Sequence, residues 1–391
     1  MLLSKTSKID WLVLLLFAFS AMALEGTMLQ IALHVVLPIV FIIIGIQHVN
    51  GLLPNISLKY YLALLIWLGL SCFTAYNSDV AFSSMIKIAS TFLCSLAAYH
   101  LACKRSIVVW LYMIMLLRFV LMMYYARNNI GYTIAYEMQD RLQDEVFNAN
   151  SFAYSLLYAS FACYVLFKKY FKVSFIIEII LIIALMVLSF WISLMTASRQ
   201  VLLLQLPLLF FLFSIGRSKS KLKSVFLIII LVLIVIGLLP YFESYYYGSL
   251  LADRSSGSIM EDARSMILLE ALKVGIEHPF LGVGPSNFML VNSLHIFSHN
   301  NFAEIFVSAG LPALILYICL VWRNLKTQWK RYKETSDYLF LYIFCFQVFF
   351  IIDNLFYVQI GALWLMAFYF VSVGHSDSYY RDNYKIVKYE N

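Results

Sequence analysis

Charge is scarce in this chain. Of its 391 residues only 13 % are Asp, Glu, Lys or Arg, while 63 % are hydrophobic. A soluble domain carries about 25 % charged residues, so this composition excludes a water-soluble fold and indicates an integral membrane protein. Cysteine is also sparse: Cys72, Cys94, Cys103, Cys163, Cys319 and Cys345 form no C-x-x-C pair, which argues against a disulfide framework and against a zinc site. No Walker A sequence is present, so nothing points to an ATP-driven pump. No repeat relates the two halves, which counts against an inverted-repeat transporter. The apolar runs do not alternate with period two, which excludes a porin-type barrel.

What fills the chain instead is a series of long apolar runs, near 9–24, 28–49, 60–76, 80–103, 106–126, 150–167, 173–196, 199–215, 222–240, 301–322, 338–352 and 355–373. A bilayer needs about 17–25 apolar residues per crossing, so the expectation is a single all-α integral membrane domain over 1–391 with about twelve spans. The first run reads as a retained span, because no small-residue cleavage site follows Leu24. Orientation follows from Lys and Arg. Twenty of the 28 basic residues fall in one set of loops: Lys5, Lys8, Lys59, Lys104, Arg105, Lys168, Lys169, Lys172, and the clusters at 217–223, 323–333 and 381–388. Six lie in the opposite set, namely Arg127, Arg141, Arg199, Arg254, Arg264 and Lys273. This split predicts both termini in the cytoplasm. The net charge of +7 is then a topology signal, and no nucleic-acid surface is read from it.

The same topology leaves one long polar interruption, 241–300, on the outer face. Long loops in compact proteins are functional or disordered, and this one carries helix signals, a Gly-Pro turn and three histidines. Ser258-Ile259-Met260-Glu261 has the capping-box pattern, and a helix from there would stop before Pro279. On that helix Met260, Arg264, Ile267, Leu268 and Ala271 share one face, with Asp262, Lys273 and Glu277 opposite. Arg264 on the apolar side either snorkels to lipid headgroups or presents its guanidinium inward to an anion. Arg199 opens the eighth span from outside and is either an interface anchor or a second anion ligand. Arg141 sits among Asp140, Asp144 and Glu145, a setting that favours a surface ion pair. Lys87 and Arg118 fall about two turns inside their spans. Ionisable residues at that depth face a bundle interior or a wet cavity, and a positively lined cavity suits a phosphate-bearing ligand. His299 precedes Asn300, a plausible N-cap for the span starting at 301. It is either a polar residue at headgroup level or a neutral imidazole able to take a proton, because a helix N-terminus disfavours imidazolium. His278 belongs to a turn, and His295 has no evident partner. The three histidines lack a carboxylate cluster and make no convincing metal site. In Leu281-Gly282-Val283-Gly284-Pro285 the glycines read as a turn and not as a phosphate cradle.

Taken together, ARSMILLEALKVGIEHPFLGVGPSNF at 263–288 and SHNNFAEIFVSAGLPALILY at 298–317 resemble the C-terminal signature of the O-antigen polymerase/ligase family. That signature has an Arg-led helix, a HP-(L/F)-LG-x-G-x-x-NF turn, and a His-Asn opening a helix with a glycine some ten residues on, here Gly310. TASRQVLLL resembles the family's S-R-G-x-x-L element, with Gln200 in place of Gly. DRLQDEVFNANSFAY resembles R-x-x-G-x-F-x-(D/N)-P-N-x-x-A, with Asp144 and Ala149 where Gly and Pro are usual. Those departures count against carrying Arg141 over. The resemblance implies a fold akin to the GT-C glycosyltransferases in the bacterial cytoplasmic membrane. It implies a metal-independent glycosyltransferase with no cofactor, acting on glycans carried by undecaprenyl pyrophosphate as donor and acceptor, with a chain-length regulator as a further partner. By position it carries over Arg199 and Arg264 as pyrophosphate ligands and His299 as general base; Lys87 and Arg118, from their depth in the spans, are added as auxiliaries. Polymerase is preferred; a ligase to lipid A core, or a flippase of lipid-linked oligosaccharide, stands as the alternative.

Overall fold

The computed structural model describes residues 7–22, 53–135, 149–196, 205, 207–209, 237, 263–356, 358, 360 and 362–385. The described residues form helices and turns, with no strand among them. In chain order the helices are α1 (Lys8–Met22), α2 (Ile56–Ser71), α3 (Ser78–Ala102), α4 (Val108–Ala135), α5 (Ala149–Val165), α6 (Phe175–Thr196), α7 (Ala263–Glu277), α8 (Asn301–Thr335), α9 (Tyr338–Asp353) and α10 (Leu363–Tyr380). Among the described residues four segments are long and apolar enough to cross a bilayer: Ile56–Thr74, Ser78–Ala102, Ile176–Thr196 and Asn301–Thr335. The chain is a helical membrane protein. The runs expected at 28–49, 199–215 and 222–240 lie largely outside the described residues, as do Arg141 and Arg199.

The closest packing joins α3 to α10 and α2 to α8. Without a hydrophobic drive between helices inside lipid, small residues set how near two backbones come. Gly374 of α10 lies against the Tyr99 carbonyl of α3, where any side chain would collide. Aromatic pairs fill the wider spaces: Phe161 stacks on Phe346 at 4.2 Å, and Tyr61 on Phe370 at 5.8 Å.

Besides α4, expected at 106–126 and running on to Ala135, two elements differ from the sequence expectation. The last helix, expected at 355–373, runs from Leu363 to Tyr380. Its C-terminal half carries Ser372, His375, Ser376 and Ser378, all buried. These polar groups are bonded to neighbours, as in Ser376 to Gln328 and His375 to Tyr112, so the helix outlasts its apolar run. The second difference is in α8. A span was expected at 301–322, but Ala309 (φ −144°, ψ 16°) and Gly310 (φ 76°, ψ −174°) are not helical, and Pro312 follows. Phe302 and Tyr317 would stand about 22 Å apart along a straight helix. Their rings are 5.6 Å apart. The chain therefore folds back at Ala309–Gly310, and Asn301–Ser308 is a short re-entrant helix packed beside the long arm that continues to Thr335. Glycine and proline are the usual causes of such a break.

Candidate functional site

The fold-back frees backbone carbonyls that a continuous helix would have used internally, and buried carbonyls need partners. They are met by the turn after α7. Val283 N–H donates to the Val307 carbonyl at 2.8 Å and Gly284 N–H to Ser308 at 2.9 Å. Trp67 Nε1 of α2 donates to Ala309 at 2.9 Å, and Leu311 N–H to Pro279 at 2.7 Å. So close an approach explains the glycines. Gly282 (φ 64°) lies on the Val307–Ala309 backbone, and Gly310 (φ 76°) on the Pro279 and Phe280 carbonyls. The G-V-G turn is a clamp. The amides that a phosphate would need at 283 and 284 already hold the broken helix. Asn287, fully buried, fastens the same turn to the α2–α3 connection: its Oδ1 accepts from Asn77 N–H at 2.7 Å and its Nδ2 donates to the Asn77 carbonyl at 3.1 Å.

α7 packs on the re-entrant helix through Ile267 and Ala271, both fully buried against Ala303, Val307 and Phe288. Lys273 and Glu277 are exposed, as the face analysis expects, and Arg264 is partly buried. The capping-box residues 258–261 lie outside the described residues. Gly275 faces the Phe306 ring, and Pro279 meets Leu311. Arg264 is in the first turn of α7, and His299 lies two residues before the re-entrant helix.

The turn carrying His299 is held from several sides. Asn300 is the N-cap: its Oδ1 accepts from Phe302 and Ala303 N–H, both at 3.0 Å, and its Nδ2 donates to the Leu355 carbonyl at 3.2 Å. Ser298 Oγ donates to the Asn300 carbonyl at 2.9 Å. His299 itself is partly buried and has φ 54°, a left-handed conformation that a non-glycine residue keeps only when its surroundings enforce it. Next to it Asn301 is fully buried. Its Nδ2 donates to Asn354 Oδ1 at 2.6 Å, its Oδ1 accepts from Ile360 N–H at 3.0 Å, and Asn354 Oδ1 also accepts from Tyr317 at 2.6 Å.

The remaining candidates sit elsewhere. Lys87 is exposed on α3, on the side that also carries exposed Phe82 and Ile86. Arg118 donates to the Ala21 carbonyl at 2.5 Å and lies over the Trp364 ring at 5.3 Å, tying α1 and α10 to α4. His295 Nδ1 lies 3.1 Å from the Met289 carbonyl, and His278 is exposed. Glu270 accepts from Ser293 Oγ at 2.6 Å and Ser293 N–H at 3.0 Å, and these bonds hold its carboxyl below the usual range. Among the described residues no three His, Cys, Asp or Glu side chains are grouped as a metal site would need. One residue the sequence reading passed over is Glu304. It is 5 % exposed, its Oε2 accepts from Ser298 N–H at 3.0 Å, and its Oε1 has no hydrogen-bond partner. An acid in the first turn of a helix reads from sequence as a dipole complement, and only the fold-back shows it to be buried.

Among the described residues the geometry is that of a helical membrane protein in which α7 packs against a re-entrant helix preceded by the His299 turn. Residues 184–318 match the family model described as O-antigen ligase. The match covers about a third of the chain and takes in Arg199, Arg264 and His299. This part of the chain is similar to glycosyltransferase-like membrane enzymes of polysaccharide biosynthesis, a family holding both polymerases and ligases. No curated protein matches the chain.

Proposed function

We propose that the protein polymerises lipid-linked polysaccharide repeat units on the outer face of a bacterial cytoplasmic membrane. The observation that carries this reading is the His299 turn, held left-handed at the mouth of a re-entrant helix beside the Arg264 helix, within the segment similar to O-antigen ligases. The hydroxyl of an acceptor repeat unit attacks the anomeric carbon of a glycan on undecaprenyl pyrophosphate. The new C–O bond forms as the bond to pyrophosphate breaks. Charge gathers on the leaving group, and arginine suits it, staying ionised and bonding phosphate oxygens in pairs. Arg264 and Arg199 take that role. Lys87 adds long-range attraction from its exposed place on α3. Arg118 is committed to the Ala21 carbonyl and the Trp364 ring and is left out. His299 accepts the hydroxyl proton, a contribution of about 10²–10⁴ in rate. The reaction needs no divalent metal, since fixed guanidinium groups balance the leaving charge.

The test combines purified protein with lipid-linked repeat units, and cells with His299→Ala. Polymer formation that persists in EDTA, and mutant cells whose surface glycan stops at a single repeat, support the reading. Long polymer left on the lipid carrier with bare lipid A core would assign the ligase reaction, which has the same chemistry and another acceptor. Repeat-unit lipid trapped on the inner leaflet would assign a flippase and overturn the enzyme.

A further inference from the structure

Glu304 is a carboxylate where the bundle has little to offer one. It lies in the first turn of the re-entrant helix, is 5 % exposed, and shares that helix's inward side with buried Asn301 and Ser308. Its Oε2 accepts from the amide of Ser298, the residue immediately before His299, at 3.0 Å. Its Oε1 makes no hydrogen bond. A half-satisfied buried carboxyl is costly, and an ionisable residue inside a membrane bundle is a functional candidate by default. The rest of the turn does not need it: Asn300 caps the helix, Ser298 Oγ closes the turn, and Asn301 ties it to Asn354 and Ile360.

We infer that Glu304 is a positioning residue for His299, an inference that rests on the polymerase reading above. Its Oε2 fixes the backbone that presents the imidazole. When the acceptor hydroxyl gives its proton to His299 and pyrophosphate departs with the bonding electron pair, the ring becomes imidazolium in a poorly hydrated site. A carboxylate held on the same turn offsets that new charge, and in low dielectric this offset is worth far more than in water. Removing the carboxylate then slows the step that creates the imidazolium and leaves donor binding at Arg264 alone.

The decisive variant is Glu304→Gln, because the glutamine carbonyl still accepts from Ser298 N–H and keeps the turn, while the charge is gone. Full-length protein in detergent with lipid-linked repeat units should show kcat lowered on the order of 10²-fold, KM for the donor changed by less than about twofold, and an unchanged melting midpoint. On the residual rate of His299→Ala, about 10²–10⁴ below wild type, Glu304→Gln should add no further loss, since it acts through the ring. A Glu304→Gln enzyme with wild-type kcat would overturn the inference and leave the polymerase reading intact if His299→Ala remains impaired. The same holds if the two variants lower kcat independently. A fully active His299→Ala would overturn both.

Discussion

The two ends of the bundle use buried polar residues in opposite ways. At the Lys/Arg-rich end the groups are shared among many partners. Asp377 pairs through Oδ1 with the Arg331 charge at 2.6 Å, and its Oδ2 accepts from Asn55 at 2.6 Å and Tyr99 at 2.7 Å, which ties α8, the α2 cap and α3 to α10. His375 lies between Tyr112 at 2.9 Å and Tyr170 at 3.0 Å. At the loop end the network is thinner and the backbone is less relaxed. Ser286, His295 and His299 have positive φ there, beside Gly282, Gly284 and Gly310, against Lys172 and Ser336 at the other end, and each end leaves a carboxyl oxygen without a hydrogen bond, Glu304 Oε1 here and Asp377 Oδ1 there. Strained backbone clusters at functional sites, whereas a shared polar network rigidifies a core. The first end is built to stay closed, and on the reading proposed above the second holds a ligand.

The largest effect should come from the loop end and should touch activity alone. Arg264→Ala should remove at least about 10² of polymer formation with the membrane level of the protein near normal, by analogy with other fixed charge-stabilising donors. Arg264→Lys should rescue only in part, since a point charge lacks the paired guanidinium fork. Quantitative gels of product against immunoblotted protein check both. Full activity in Arg264→Ala would make it an interface anchor and erase the contrast.

The same comparison predicts the reverse pattern at the other end. Asp377→Ala removes the counter-charge of Arg331, leaving it Ser376 Oγ and the Tyr380 ring, and strips acceptors from Tyr99 and Asn55. It should cost about 3 kcal/mol of stability, seen as a lower melting midpoint in detergent, while the kcat of surviving protein changes little. A mutant with normal melting and no activity would place chemistry at this end.

A third substitution tests the hinge between the two regions. Gly310→Ala puts a side chain at φ 76° against the Pro279 and Phe280 carbonyls. It should cost at least about 2 kcal/mol and lower activity as well, because the clamp and the His299 turn share one re-entrant helix. Melting curves with a parallel polymer assay separate the two losses. Normal values in both would mean the fold-back is not needed.

Much of this architecture was open to reading from residues. The apolar runs place α1, α2, α3, α6 and α9 to within a few residues, Asn300 declares the helix start at 301, and the Ile267–Ala271 face of α7 follows from periodicity. The fold-back was missed because 301–322 is predominantly apolar, and hydropathy cannot tell one span from two antiparallel pieces. The signal was present in Gly310 and Pro312, the punctuation that ends helices. The end of α10 was missed because buried polar residues satisfied by neighbouring helices look, in sequence, like the end of a span. At the candidate site Arg264 and His299 were read from motif order, but Glu304 carries no signature until tertiary contact buries it. Arg199 and Arg141 lie outside the described residues, so their part of the reading still rests on sequence.

The smallest predicted effect is a pH dependence confined to the Lys/Arg-rich end. Asp337 links α8 to α9 and lies outside the spans. Burial pushes its carboxyl upward, but bonds from Leu339 N–H at 2.9 Å and Tyr379 at 2.8 Å outweigh it, with Lys169 at 3.3 Å and Tyr384 at 3.0 Å adding to them, and the net shift is downward. A depressed folded-state value means that the unfolded chain binds the proton more readily. The stability contribution is therefore complete above the ordinary aspartate value of about 3.9 and fades as pH falls through the lower folded one. Melting midpoints should be flat in this respect from neutral pH down to about 4–5 and fall below that. Asp337→Asn should cost about 1 kcal/mol at neutral pH, with a shallower acid limb than the wild type. The Leu339 cap survives in asparagine, so the loss comes from Lys169 and the two tyrosines. An identical acid limb in the mutant would move the titrating group elsewhere, and equal sensitivity of activity and melting to that substitution would remove the division between the two ends.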